Sequence, residues 1–167
     1  MVQPNSFNLP VKIVRPFNTY GRRQSARAII PTVISQLLSG KKKLSLGNLS
    51  PTRDSTFVKD TCKGFLEIFK SEKLYGEVTN IGMGKEISVG DLVKKISSII
   101  SAEAIVEEDK IRIRPGNSEV ERLLCNNNKL ITNTNWKPDY DLEKGLTETI
   151  DWLKLNIDLY KPEIYNV

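Results

Sequence analysis

The chain has 167 residues, 39% of them apolar, with 25 basic and 20 acidic side chains and no histidine. That is enough for one domain with a real core, its apolar runs are too short to span a bilayer, and the lack of histidine excludes histidine-based catalysis or metal binding within it. The net charge of +5 raises nucleic acid as a partner, but the one tight basic run, Lys41-Lys42-Lys43, follows a helix end whose negative terminus it complements, so the excess suits an anionic small ligand better than a duplex.

In chain order, Val11 to Val14 reads as a buried strand that stops at Pro16 and opens into the loop Arg15-Pro16-Phe17-Asn18-Thr19-Tyr20-Gly21, where an open α/β sheet places its ligand site. Ile29, Ile30, Val33, Ile34, Leu37 and Leu38 recur at helical spacing and stop at Gly40, with Pro31 near the first turn, where its missing N–H costs least. Leu44 to Leu46 is a short strand before the turn-rich Gly47-Asn48-Leu49-Ser50-Pro51. A second helix, Val58 to Ser71, carries Val58, Cys62, Phe65, Leu66 and Phe69 on one face, expected to be its core face. Glu77 to Ile81 is a further strand; Gly82-Met83-Gly84 after it lacks the third glycine of a dinucleotide turn.

Ser88 with Asp91 three residues on is an N-cap, opening a helix whose face is Val89, Leu92, Val93, Ile96, Ile99 and Ile100. Ala104 to Val106 and Ile111 to Ile113 are strands around the polar turn Glu107-Glu108-Asp109-Lys110. Asn126 to Thr134 holds a short helix, and Asp141 caps a last one bearing Leu142, Leu146, Ile150, Leu153 and Ile157. Alternating helices and strands make the class α/β. Cys62 and Cys125 stand far apart and close no zinc site. With an opening Met-Val-Gln-Pro-Asn that has neither the basic end nor the apolar stretch of a secretory signal, they point to a reduced, cytoplasmic setting.

The run Arg15 to Gly21 resembles the R-P-x-N-x-Y-G element of extended short-chain dehydrogenase/reductase enzymes, the NAD-dependent nucleotide-sugar epimerases and 4,6-dehydratases. The resemblance continues in order through Ala26 to Gly40, Leu44-Ser45-Leu46-Gly47, Arg53-Asp54 with Phe57-Val58-Lys59-Asp60, Val78 to Gly82, Arg112-Ile113-Arg114-Pro115-Gly116, and Trp136-Lys137-Pro138 with Leu142 to Leu146. Ser25 to Pro31 and Ser118 to Leu124 are similar to 4,6-dehydratases of N-acetylated nucleotide sugars, as in nonulosonic-acid pathways. The glycine-rich cofactor turn is absent, and neither Tyr20, with Gln24 four residues on, nor Tyr75, with Thr79, makes a Tyr-x-x-x-Lys pair. The resemblance therefore implies the C-terminal, substrate-binding half of a Rossmann-type enzyme, residues 1–167 as one unit, with 11–21 and 77–82 belonging to the Rossmann sheet.

It also implies site residues. Arg53 and Arg114 match the diphosphate arginines, whose planar forks pair with phosphate oxygens, though outside the family each reads as a surface arginine. Asn18 matches a ligand of the substrate phosphate or sugar, the alternative being an Asx-turn residue that satisfies its own loop. Arg27 falls in a substrate-contacting stretch, as does Asn117, which replaces the aspartate of many relatives. Leu44, Leu46 and Gly47 match the extended segment on which the base rests, and Pro16 and Phe17 lie by the nicotinamide of NAD. Asp54 has a structural alternative as the carboxylate that holds Arg53. The implied partners are a nucleotide-diphosphate sugar and either an N-terminal Rossmann half or a second copy in a homodimer, with no nucleic acid and no membrane. The implied reaction is a 4,6-dehydration, with 4-epimerisation or a non-enzymatic binding module as alternatives.

Overall fold

A computed structural model of the chain describes residues 9–109 and 120–160. The first part holds strands β1 (Ile13–Pro16) and β2 (Asn18–Tyr20), helix α1 (Ile29–Leu38), strands β3 (Lys43–Leu46), β4 (Thr52–Arg53) and β5 (Ser55–Phe57), and helix α2 (Val58–Lys70). There follow β6 (Val78–Ile81), β7 (Ile87–Ser88), α3 (Val89–Ile100), β8 (Ile105–Glu108), β9 (Arg122–Leu123), α4 (Asn128–Asn133) and α5 (Leu142–Leu155), with a 3-10 turn at Ile157–Leu159. The α/β class holds, and the strands pair in short sheets: β1 with β6, β2 with β5 and β3 with β8, all parallel, and β4 between antiparallel β7 and parallel β9.

The expected loop from Arg15 to Gly21 is strand on both sides of Phe17. Arg15 and Pro16 pair with Asn80 and Ile81, and Asn18 to Tyr20 pair with Ser55 to Phe57. The chain thus steps from one sheet to the other at Phe17, whose N–H donates to Ile81 O at 2.8 Å. Likewise Glu107 and Glu108, expected in a turn, extend β8 alongside Ser45 and Leu46, and Lys43 pairs with Glu107 at 2.5 Å. The strand expected at Ile111 to Ile113 lies outside the described residues.

Three helices form the main core. Val33, Ile34 and Leu37 of α1, Leu92 and Ile96 of α3, and Leu146, Ile150 and Leu153 of α5 meet Leu44, Leu46, Phe57 and Tyr20. Each such side chain stabilises the fold by about 1.5–3 kcal/mol on burial. The helix ends follow their local chemistry. Ser88 Oγ accepts from Asp91 N at 3.0 Å, Asp141 Oδ1 from Lys144 N at 2.8 Å, and Gly40 adopts φ +81° after α1.

Helix α2 overturns its expected orientation. Asp60, Thr61, Gly64 and Ile68 are buried, while Cys62, Phe65, Leu66 and Phe69 are exposed. The reason is steric and polar. Gly64 rests on Ile81 so closely that an added Cβ would lie 2.7 Å from Ile81 Cδ1, and only the glycine side of the helix allows that approach. The same side carries Asp60, whose carboxylate accepts from Asp139 N at 2.8 Å and Tyr140 N at 3.1 Å, and whose carbonyl accepts from Trp136 Nε1 at 2.9 Å. Under it lies a second, smaller core of Ile68, Leu74, Ile81, Leu130 and Trp136.

The tightest helix contact is at Gly145, where a Cβ would stand 2.1 Å from Tyr20 Oη. Burial raises the Tyr20 phenol above its usual pKa, so it stays protonated and donates to Leu142 O at 3.3 Å. Gly145→Ala must displace the ring or part α5 from β2, and we expect it to cost about 1–3 kcal/mol, as overpacking does. Urea unfolding measures this, and an unchanged midpoint would show that the contact carries no strain.

Candidate functional site

Stepping between sheets at Phe17 brings Asn18 to one wall of a cavity of about 410 Å³. The opposite walls come from the α1 entry, with Gln24, Arg27, Ala28 and Ile30, and from the segment after β3, with Leu46, Gly47 and Asn48. Arg53 and Ser55 line it from β4 and β5, and Ile87, Val89 and Leu92 supply apolar surface. Five of the residues expected from sequence, Asn18, Arg27, Leu46, Gly47 and Arg53, therefore share one hollow. Among the residues lining it, two are arginines and none is acidic.

The remaining expected residues are placed differently. Leu44 is wholly buried in the main core and does not line the cavity. The segment's backbone is also partly committed, because Lys42 O and Leu46 O accept from Ile105 N and Asp109 N at 2.8 Å each, and Ser45 N donates to Gln36 Oε1 at 3.3 Å. Pro16, exposed, and Phe17, half-buried, immediately precede Asn18 and do not line the cavity. Arg114 and Asn117 lie outside the described residues.

Asn18 is no Asx-turn residue. Its Nδ2 reaches across to Asp54 O at 3.2 Å, tying β2 to the turn between β4 and β5. Arg53 Nη1 donates to Thr52 O at 2.8 Å, which folds the guanidinium back along its own strand. The sequence reading missed Gln24, whose Nε2 donates to Thr19 O at 2.9 Å, and the pair Asn48 and Ser55. Each sits in a turn or a three-residue strand, without any periodic signal.

Asp54 corrects a second expectation. Rather than being spent on Arg53, its fully buried carboxylate takes backbone N–H bonds from Met83 at 2.9 Å, Gly84 at 2.8 Å and Cys125 at 3.2 Å. Gly82 and Gly84 thus serve this carboxylate. Gly84 adopts φ +66°, and a Cβ on Gly82 would fall 2.3 Å from Cys125 Cβ. Burial, with Asp54 beside it, pushes the Cys125 thiol up to about 12, so it is a packed thiol, not a nucleophile. Burial also raises the Asp54 pKa above its ordinary value, against the lowering effect of the N–H bonds from Met83, Cys125, Gly84 and Lys85.

A carboxylate whose folded pKa exceeds its unfolded one binds its proton more tightly when folded, so its contribution to stability weakens as pH rises from the unfolded value through the folded one. Asp54→Asn turns an N–H2 toward the Gly84 or Met83 N–H and should cost about 1–3 kcal/mol. The gap between wild type and variant should narrow as the pH is raised through that window. Urea titrations at a series of pH values check both, and a gap that widens with pH would reverse the sign assigned to Asp54.

The family model described as GDP-mannose 4,6 dehydratase matches residues 3–149. The human dTDP-D-glucose 4,6-dehydratase is 31% identical over 160 residues, 93% of this chain and 45% of that protein. The UDP-N-acetyl-alpha-D-glucosaminuronate decarboxylase of Bacillus cytotoxicus is 32% identical over 151 residues, 87% of this chain and 47% of that protein. Among solved structures, UDP-glucuronic acid 4-epimerase from Bacillus cereus, in complex with UDP-glucuronic acid and NAD, superposes with a TM-score of 0.81 at 29% identity, covering 90% of this chain and 47% of that one. The dTDP-glucose 4,6-dehydratase of Bacillus anthracis, in complex with NAD, gives 0.76 at 30% identity, covering 93% and 48%. The chain spans about half the length of these relatives.

Proposed function

The chain belongs to the GDP-mannose 4,6-dehydratase family of nucleotide-sugar dehydratases and epimerases, and we propose that it is the nucleotide-sugar-binding half of a NAD-dependent 4,6-dehydratase, inactive by itself. The observation that carries this reading is the charge of the cavity: two arginines, side-chain amides and hydroxyls, and no lining carboxylate. A diphosphate needs its charge neutralised in a partly dry cleft, and paired guanidinium N–H groups do so with directional bonds. Arg53 takes one phosphate, with Arg114 as the second fork, and Asn18 offers its acceptor oxygen and remaining N–H to phosphate or sugar. Arg27 and Asn117 face the sugar, Leu46 and Gly47 carry the base, and Leu44 shapes that segment from the core.

Pro16 and Phe17 are this chain's share of the NAD site, on the nicotinamide side. The dinucleotide's pyrophosphate needs a glycine-rich strand-to-helix turn, and the glycines at 82 and 84 are committed to Asp54 and Cys125. NAD supplies hydride removal from the sugar C4 and its return. The residues of this chain bind and orient the substrate for that step. A sugar bearing an N-acetyl group fits the resemblance of Ser25 to Pro31, and one relative is named for an N-acetylated sugar nucleotide.

Titration calorimetry with UDP, dTDP, GDP and their sugars tests the site. Wild type should bind a nucleoside diphosphate, and Arg53→Ala should weaken it about 10- to 100-fold, the loss of roughly 1.5–3 kcal/mol expected for a hydrogen bond to a charged group. A folded wild type that binds none of them at millimolar concentration would sink the reading.

A further inference from the structure

The cavity wall that carries Arg27 is a stretch without helix or strand, from Gly21 to Ala28. Its own bonds are few: Gln24 N donates to Gly21 O at 3.3 Å, Ala28 N to Ser25 O at 3.0 Å, and Thr32 Oγ1 to Ala26 O at 2.9 Å. Arg23 within it adopts φ +62°, in the left-handed region that a side chain disfavours, so the turn has to be held from outside. Among the described residues the Arg27 guanidinium has no hydrogen-bond or ion-pair partner, so it stands where this stretch puts it.

The outside hold comes from the other end of the chain. After α5, the 3-10 turn at Ile157–Leu159 brings Tyr160 back into the main core, buried and edge-on to Trp152 with ring centroids 6.2 Å apart. Its Oη donates to Gln24 O at 2.8 Å, across 136 residues of sequence. Burial raises the phenol above its ordinary pKa, so the donor stays protonated. The Gln24 side chain meanwhile donates from Nε2 to Thr19 O at 2.9 Å, next to Asn18. Gln24 therefore braces the Arg27 wall against the Asn18 wall, and Tyr160 holds the brace.

We propose that Tyr160 is a positioning residue for the sugar end of the cavity: its hydroxyl, through the Gln24 carbonyl, sets where Arg27 stands. The inference rests on the proposed function and deepens it. A cation already held in place loses less freedom when a ligand binds, so the latch raises affinity without touching the sugar.

Tyr160→Phe keeps the ring in the core and removes only the hydroxyl. Hydrogen exchange followed by NMR should show the Gln24 and Ala28 amides faster by about fivefold or more, while Ile34 and Leu153 inside their helices keep wild-type rates. This measurement uses no nucleotide, so it stands or falls apart from the phosphate site. In titration calorimetry UDP-, dTDP- and GDP-glucose and UDP-N-acetylglucosamine are each set against the parent diphosphate. The nucleotide sugar that wild type binds tightest should lose about 3- to 10-fold in affinity, the range for one neutral hydrogen bond, and its diphosphate less than about twofold. In an Arg27→Ala background, Tyr160→Phe should cause no further loss. Unchanged exchange at Gln24 and Ala28, equal acceleration at Ile34 and Leu153, or an affinity loss just as large in the Arg27→Ala background would each overturn the proposal.

Discussion

The buried carboxylate of Asp54 is the constraint on which the cavity depends. It gathers three backbone N–H groups from segments about 30 and 70 residues away, while its own carbonyl holds the Asn18 side chain. The residue before it is Arg53, whose backbone is anchored with it, while the guanidinium itself donates to Thr52 O at 2.8 Å. Removing the carboxylate would leave several buried donors unsatisfied at once, a far larger penalty than one exposed hydrogen bond. Asp60, six residues on, repeats the device: it binds the N–H groups of Asp139 and Tyr140 and, through its carbonyl, Trp136. The two carboxylates flank β5 and sew both ends of it to the second half of the chain.

Surface charge plays a lesser part. Arg122 with Glu86, Lys43 with Glu107, and Lys63 with Asp139 are exposed pairs, and such pairs contribute at most about 1 kcal/mol each. Their consequence is local neutralisation. Arg122 is answered by Glu86, which does not line the cavity, and the lining residues include two arginines and no acid.

The helices were legible because ten or more residues at a period of 3.6 leave an unmistakable stripe, and Ser88, Asp141 and Gly40 marked ends where local chemistry alone decides. The strands β4, β7 and β9 have two residues each, and β2 and β5 three, too short for any alternation to show. Helix α2 was read with the wrong side inward because apolar content normally identifies the core face. Here a glycine's close approach and a buried aspartate decided instead. Of the cavity, composition announced only a taste for anions. Asn18, Arg27, Leu46, Gly47 and Arg53 came from the family resemblance, and the role of Asp54 depended on contacts that sequence spacing does not encode.

The fold has a larger and a smaller core, and the cavity draws its walls from elements that rest on each. The walls from α1, α3 and the segment after β3 stand on the large helical core. The Asn18 wall hangs from β1 through Phe17, and β1 belongs to a two-stranded sheet with a smaller core beneath it. Arg53 stands on the opposite side next to Asp54, which is tied to Met83, Gly84 and Cys125, so the walls of one cavity rest on different parts of the fold.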